Sequence, residues 1–461
     1  VNPQSSVYNL VQQYMALEQV EINRLQASKE EIENQQSSLT ELSSQFRDLR
    51  SEANKFRWGG ISSPINTFGA SSGDTSIVTV SADATAAEGT HTVSVQSLAT
   101  AHSIASAQFA GEEAFSLVGD YVFEIVQGEE TYEVSVTIDE GSSNYDAMRA
   151  VVLAINASGA DVTASLAAID ARTDSYRLLL SSKTSGMEGL IGQIADTSGN
   201  LTAVLGLAGF SEEGNYSANT LQGAANTNFT IDGLEFVSYS NHISDALTGI
   251  TLDLNGVSEA TVTLSIERDV EAIQESVQEF LEAYNNTLNY VRNLTSGADA
   301  SGEGRGALTG DTMYMTLRRQ LRRYVTAEVP DPTGQSDLVR LAQMGITTDR
   351  EGRLSISDSS AFEDALRMKP DEVERLFSDQ DHGIGVRMVE LMDLYVGAGG
   401  LISQQRSLVQ SRGRTLDQRI AREETYLEKR EEQLTTKLAV LQQMMTDLQT
   451  QQQIMNAYMY R

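Results

Sequence analysis

From residue 420 to the end of the chain, apolar side chains return every seven positions. Ile420, Leu427, Leu434, Leu441, Leu448 and Met455 mark one row, and Leu438, Met445 and Met459 each follow a member of it by four. A seven-residue repeat drifts around a straight helix, so one kept up this long predicts left-handed supercoiling against a second helix. The matching pattern lies near the other end of the chain. Leu25, Ile32, Leu39, Phe46 and Ala53 keep the same interval, and Leu42, Leu49 and Phe56 lie three positions after members of it. Upstream the repeat weakens, because Glu18, Glu21, Ser28 and Gln35 occupy the same rows. Helical pattern runs from about Val7 to Phe56 and from about Leu401 to Tyr458, which at 1.5 Å per residue gives two rods of roughly 75 to 85 Å. Antiparallel pairing would put both termini at one end.

Between the rods the period changes. Trp58, Gly59, Gly60 and Pro64 form a breaker cluster, after which Ser76 to Ser81 and Thr90 to Gln96 alternate as half-buried strands do. Tyr121 to Val126 and Tyr132 to Ile138 predict a hairpin across the turn at 127–130, and Asn144 is the expected cap of a helix over Tyr145 to Ile155. Strands follow at Val162 to Leu166 and Tyr176 to Leu180. Residues 185 to 223, Gly-rich with apolar pairs, show no clear period. Thr227 to Ile231, Glu235 to Ser238, Thr251 to Leu254 and Ala260 to Ile266 read as strands, with turns at Asp232-Gly233 and Asn255-Gly256. Helices are then predicted over Val270 to Leu294, Met313 to Val325, a shorter piece around Leu338 to Met344, Ser359 to Met368, Pro370 to Phe377 and Val386 to Val396. A Gly-rich linker from Gly297 to Gly310 separates the first two of these. The fold class is therefore a multidomain α+β chain, with a terminal α-helical coiled coil and a helical body interrupted by nested β-rich insertions.

Charge narrows the function. The chain carries a formal net charge of −31, and from Trp58 to Met148 there are thirteen Asp or Glu and no Lys or Arg. Such a surface repels nucleic acid. No apolar run reaches the roughly 20 residues of a membrane span, so membrane insertion is not expected, and no secretory signal pattern opens the chain. The absence of cysteine removes disulfides and thiolate chemistry. His91, His102, His242 and His382 are far apart in sequence and fit no metal-ligand spacing, and no nucleotide or nucleophile motif is present. No catalytic residue, metal or cofactor is expected, and the function sought is structural. Two features point to assembly. From Leu438 to Tyr460 the only charged residue is Asp447, amid a crowd of glutamines, so the last turns need a partner. Arg318, Arg319, Arg322 and Arg323 form the one basic cluster, which is a solvated face or a subunit contact.

Several strings resemble the flagellar hook-associated protein 2 family of filament caps. The opening helix at Leu10 to Leu25 is similar, as are Ala86 to Ala101 and the pair Asn228 to Leu234 with Asn241 to Leu252. Leu341 to Leu354 (LAQMGITTDREGRL) is the most specific match, and Ala154 to Ala164 resembles a short repeat of flagellins and hook-associated proteins. The resemblance implies four parts: a terminal leg of residues 1–40 plus 430–461, a helical body of 41–70 plus 269–429, a β-rich domain of 71–107 plus 222–268, and an outer β-rich domain of 108–221. It implies a ring of five or six copies at the distal tip of the extracellular filament, promoting folding and insertion of exported flagellin, and so required for filament assembly and motility. Its assembly seam would be Leu25, Ile32, Leu39, Leu42, Phe46, Leu49, Leu427, Leu434, Leu438, Leu441, Met445, Leu448 and Met455. Implied partners are further copies of the chain, flagellin, the hook-filament junction protein, and an export chaperone on the C-terminal helix during passage through the flagellar type III apparatus. The alternatives are another flagellar axial or junction protein, or an adhesin whose exposed β domains take host glycan or mucin.

Overall fold

The computed structural model describes residues 3–170, 174–212, 215–216, 219–297 and 305–459. It divides into a helical unit, Val1–Ile65 with Val270–Arg461, and a β-rich unit, Asn66–Asp269. The first helix, α1 (Pro3–Lys55), runs unbroken because no Gly or Pro falls between residues 4 and 58. Its turns tighten at Phe56 and Arg57 before the Gly59-Gly60 break.

The β-rich unit opens with β1 (Phe68–Ser72), β2 (Val78–Ala82) and β3 (Gly89–Ser97). An inserted stretch follows: β4 (Ala101–Ala105), β5 (Phe109–Ala110), β6 (Gly119–Gln127), β7 (Glu130–Ile138), α2 (Asn144–Ala157), β8 (Val162–Asp170), β9 (Ser175–Ser185) and β10 (Ile191–Ser198). It ends with α3 (Leu201–Leu205), β11 (Gly209–Glu212), β12 (Asn215–Tyr216) and β13 (Thr220–Gln222). The chain returns through β14 (Thr227–Ile231), β15 (Leu234–Ser238), β16 (His242–Leu247), β17 (Ile250–Leu254) and β18 (Ser258–Arg268).

Two cores result. The outer strands form the sheets β1-β18-β3-β14-β15 and β16-β17-β2 around Val93, Val95, Phe229, Leu252 and Leu264. The inserted stretch forms β12-β11-β10-β6-β7 and β13-β4-β9-β5, with β8 on β9, around Phe123, Met148, Val151, Leu178 and Ile194. β4 falls among the residues expected in the first β-rich domain, yet it pairs with β9 and sends Ile104 into the second core.

The helical unit resumes with α4 (Val270–Thr295) and α5 (Thr312–Thr326), then the hairpin β19 (Ile346–Thr348) and β20 (Leu354–Ile356). It closes with α6 (Ser359–Met368), α7 (Pro370–Ser378), α8 (Ile384–Val396) and α9 (Leu401–Met459). The face of α1 made by Leu39, Leu42, Phe46, Leu49, Ala53 and Phe56 is fully buried in this unit's core. Phe46 meets the Tyr395 ring edge-on at 5.5 Å, and Phe56 packs on Phe280 and Phe377 at 5.9 and 4.9 Å. α8 can approach this closely because residue 385 is glycine: a Cβ there would lie 2.9 and 3.0 Å from the carbonyl oxygens of Phe56 and Ala53.

Three local expectations change. The cap of α2 is Ser143, whose hydroxyl accepts from the Asp146 amide; Asn144 is already helical, and its buried side chain donates to the Ala110 carbonyl. The helix expected near 338–344 is a single 3-10 turn, Leu341–Met344, because the Gln343 side chain accepts from the Val339 and Arg340 amides and the chain turns at once into β19. Residues 185–223, without a clear period, hold β10 to β13 and α3, in strands too short or bulged to show one. The linker expected over Gly297 to Gly310 lies partly outside the described residues.

Two predictions follow from this packing. Gly385→Ala forces α8 off the end of α1, and overpacking of this kind costs about 1–3 kcal/mol. Helical circular dichroism at 222 nm during heating should show the melt moved down, and an unmoved melt would remove the close-approach argument. His102 is fully buried, and its Nδ1 accepts from the Ile191 amide at 3.0 Å, so desolvation holds the imidazole below its ordinary value of 6.5. The unfolded chain therefore binds the extra proton first as pH falls below 6.5, and stability from this site is intact above that value and lost below it, by up to about 1.4 kcal/mol per pH unit. Urea titrations of wild type and His102→Gln from pH 7 to 5 should converge, and parallel curves would exclude the histidine as the cause.

Candidate assembly interface

α1 and α9 pack antiparallel. Lys29 Nζ lies 2.7 Å from Asp417, Arg419 reaches Glu21 at 2.9 Å, and Arg430 donates to the Tyr14 hydroxyl at 3.2 Å with its guanidinium over that ring. Asp417 holds the Lys29 ammonium above its usual range, first by the hydrogen bond and then by charge. These pairs are solvent-exposed, so they fix register more than they stabilise. Glu21, on a row of the predicted seam, turns outward to its arginine, and the buried residue nearby is Ile22. A straight helix drifts about 20° per heptad, which moves the contact row from one to the other.

The seam residues divide by position. Leu25, Leu39, Leu42, Phe46, Leu49 and Leu427 are buried, and Ile32, Leu434 and Leu438 are half-buried. Leu441, Met445, Leu448 and Met455 are 54%, 49%, 63% and 58% exposed. Carried back eleven residues from Tyr14 to Pro3, the register reaches about Leu441, so the last turns of α9 lie past the described part of α1. Val440, Met444 and Ile454, which the heptad rows omit, are exposed beside them. Together they make an apolar helix end on which Asp447 is the only charge from Leu438 to Tyr460. Their signal in the sequence was the missing charge more than the heptad.

α5 buries Tyr314, Leu317, Leu321 and Val325 and turns the arginine cluster away from them. Among the described residues none of Arg318, Arg319, Arg322 and Arg323 sits in an ion pair; Arg319 donates to Thr316 at 3.1 Å. The pairs 318/322 and 319/323 are like charges at i,i+4, each unfavourable by about 0.2–0.5 kcal/mol in an isolated helix. Arg323 and Arg387 both lie over Tyr324, at 6.0 and 5.8 Å, an extension of the patch that sequence spacing did not show. Arg322 lies across Gly352, whose φ is +93° and where a Cβ would be 2.5 Å from the guanidinium.

The distinctive stretch Leu341 to Leu354 is scaffolding. Asp349 accepts the Arg353 amide and guanidinium at 2.9 and 2.7 Å, closing the β19–β20 turn, and Asn285 on α4 exchanges two 2.8 Å bonds with Leu354. His91, His242 and His382 each face a separate aspartate, and among the described residues no group of three or more His, Cys, Asp or Glu could hold a metal. No described helix is long and apolar enough to cross a membrane.

Known proteins place this arrangement. The sequence profile of the flagellar hook-associated protein 2 C-terminus matches residues 224–450, and that of its N-terminus matches 5–102. The B-type flagellar hook-associated protein 2 of Pseudomonas aeruginosa is 27% identical over 392 residues, 83% of this chain and 81% of that protein. The flagellar hook-associated protein 2 of Escherichia coli is 28% identical over 350 residues, covering 73% and 72%. In fold, the crystal structure of the flagellar cap protein FliD D1-D2-D3 domains from Escherichia coli matches with a TM-score of 0.64 at 23% identity, over 81% of this chain and 99% of that one. With paired terminal helices, a nested β-rich unit and both family profiles in order along it, the chain belongs to the flagellar hook-associated protein 2 family, the structural caps of the flagellar filament.

Proposed function

We propose that the chain works at the distal filament tip as a ring of five or six copies, beneath which exported flagellin folds and inserts. The observation that carries this reading is the apolar stripe at the end of α9, where Asp447 is the single charge from Leu438 to Tyr460. Water solvates such a stripe poorly, and burial of about 25 cal/mol per Å² of apolar surface favours any partner that covers it. Residues 1–40 and 430–461 act as the leg that meets flagellin or the hook-filament junction protein, and residues 41–70 with 269–429 act as the body. The β-rich domains, 71–107 with 222–268 and 108–221, form the plate. During export through the flagellar type III apparatus, a chaperone covers the same stripe of α9. The β-rich unit carries 27 acidic and 5 basic residues, which disfavours an adhesin role toward acidic glycans or mucin.

Leu441→Asp puts a charge on the stripe where the folded chain already exposes the side chain, so the melt should move by less than about 0.5 kcal/mol. A strain lacking its own cap gene and complemented with this variant should release flagellin monomers into the medium and make no long filaments. Leu427→Asp is the contrast: it buries a carboxylate between α1 and α9, costs about 3 kcal/mol or more, and lowers the melt itself. Full-length filaments with Leu441→Asp would overturn the role given to α9.

A further inference from the structure

The arginine face of α5 carries four guanidinium groups with no carboxylate partner among the described residues. Elsewhere in that unit Lys29, Arg50, Lys55, Arg340, Arg353 and Arg419 each sit beside a carboxylate. Arg319, Arg322 and Arg323 are exposed and Arg318 is half-buried, and among the described residues none of the four has found an acidic partner in a chain of net charge −31. Three of the four are also held in place: Tyr324 lies beneath Arg323, Gly352 makes room for Arg322, and Thr316 accepts from Arg319. An ordered, unpaired guanidinium row in so acidic a protein is a half-interface, since guanidinium groups bind carboxylates in a fixed fork and are weakly hydrated.

We propose that this face docks on the acidic β-rich unit of a second copy of the chain. That unit carries 27 of the 64 acidic residues and only 5 of the 33 basic ones. One stretch of these carboxylates is uncompensated too. From Glu112 to Asp146 none makes an ion pair among the described residues, and on the hairpin β6–β7 Glu124 stands directly across from Glu133. Like charges opposed across strands are unfavourable until a cation lies between them. The inference rests on the self-association reading above and adds to it the surfaces that meet. The contact it describes is steered by charge, so it forms fast and weakens as salt screens it.

Two experiments on the full chain test it. In the first, sedimentation velocity compares wild type with Arg318→Glu/Arg319→Glu/Arg322→Glu/Arg323→Glu at 50 and 500 mM salt, with circular dichroism confirming the fold. The reversed variant should lose at least tenfold in association constant, and wild type should weaken with salt. In the second, Arg319→Lys/Arg323→Lys keeps the charge but supplies amines that carbodiimide can join to carboxylates. Equal amounts of ¹⁴N and ¹⁵N chains are mixed, cross-linked and mapped by mass spectrometry. Heavy-to-light links from the introduced lysines to Asp or Glu within 66–269 are expected. Unchanged assembly of the reversed variant, or links confined to single chains or to carboxylates of the helical unit, would overturn the docking while leaving the ring intact. A wild type that stays monomeric at every concentration, and also fails to cap filaments in cells, would overturn the self-association reading with it.

Discussion

Burial of one face of α1 is the constraint on which the helical unit depends. Leu39, Leu42, Phe46, Leu49, Ala53 and Phe56 form a wall against which α4, α8 and α9 all pack. Polar groups tie the same helix down: Thr287 donates to the Gln45 carbonyl at 3.1 Å and Tyr290 to the Ser38 carbonyl at 3.3 Å. Since these partners come from residues 270 to 459, the unit forms only when both ends of the chain are present. The β-rich unit carries its own two cores and makes no such demand.

A chain built this way leaves two surfaces without compensation. The far end of α9 is an apolar stripe with Asp447 as its single charge, and the α5 face is charged without counterions among the described residues. They differ in how a partner would satisfy them. The first gains by removing apolar area from water and is insensitive to salt, whereas the second gains through charge and is screened over about 10 Å at 0.1 M. A filament cap must hold together at the tip while letting subunits pass beneath it. On the proposals above, one contact of each kind would give it both a persistent and a readily exchanged attachment.

Much of this was legible in the residues. The two rods, their pairing and most strands follow from periods of seven and two, because a long helix with a buried stripe and a half-buried strand each force one spacing on apolar side chains. The family was legible in short strings, above all Leu341 to Leu354, whose residues serve a turn and a clamp to α4. What escaped was short or bulged. β10 to β13 lie in segments whose pairing is interrupted, as between Ile191 and Gln193, and a break in register destroys the alternation that would reveal them. β4 alternates as its neighbours do, and nothing in its own residues says which core receives Ile104.

The sequence by itself determined most of the elements, the charge balance and the scarcity of charge at the end of α9, since each is a property of neighbouring residues. Tertiary structure alone decided which seam positions are covered. Leu427 and Leu441 are equivalent in the repeat, yet one is 7% and the other 54% exposed, because the register with Tyr14 places only the first opposite the described part of α1. It also decided that Ile22 replaces Glu21 at the contact and that the arginines of α5 find no carboxylate within reach among the described residues. Those are facts about distance between residues remote in sequence, and no local pattern carries them.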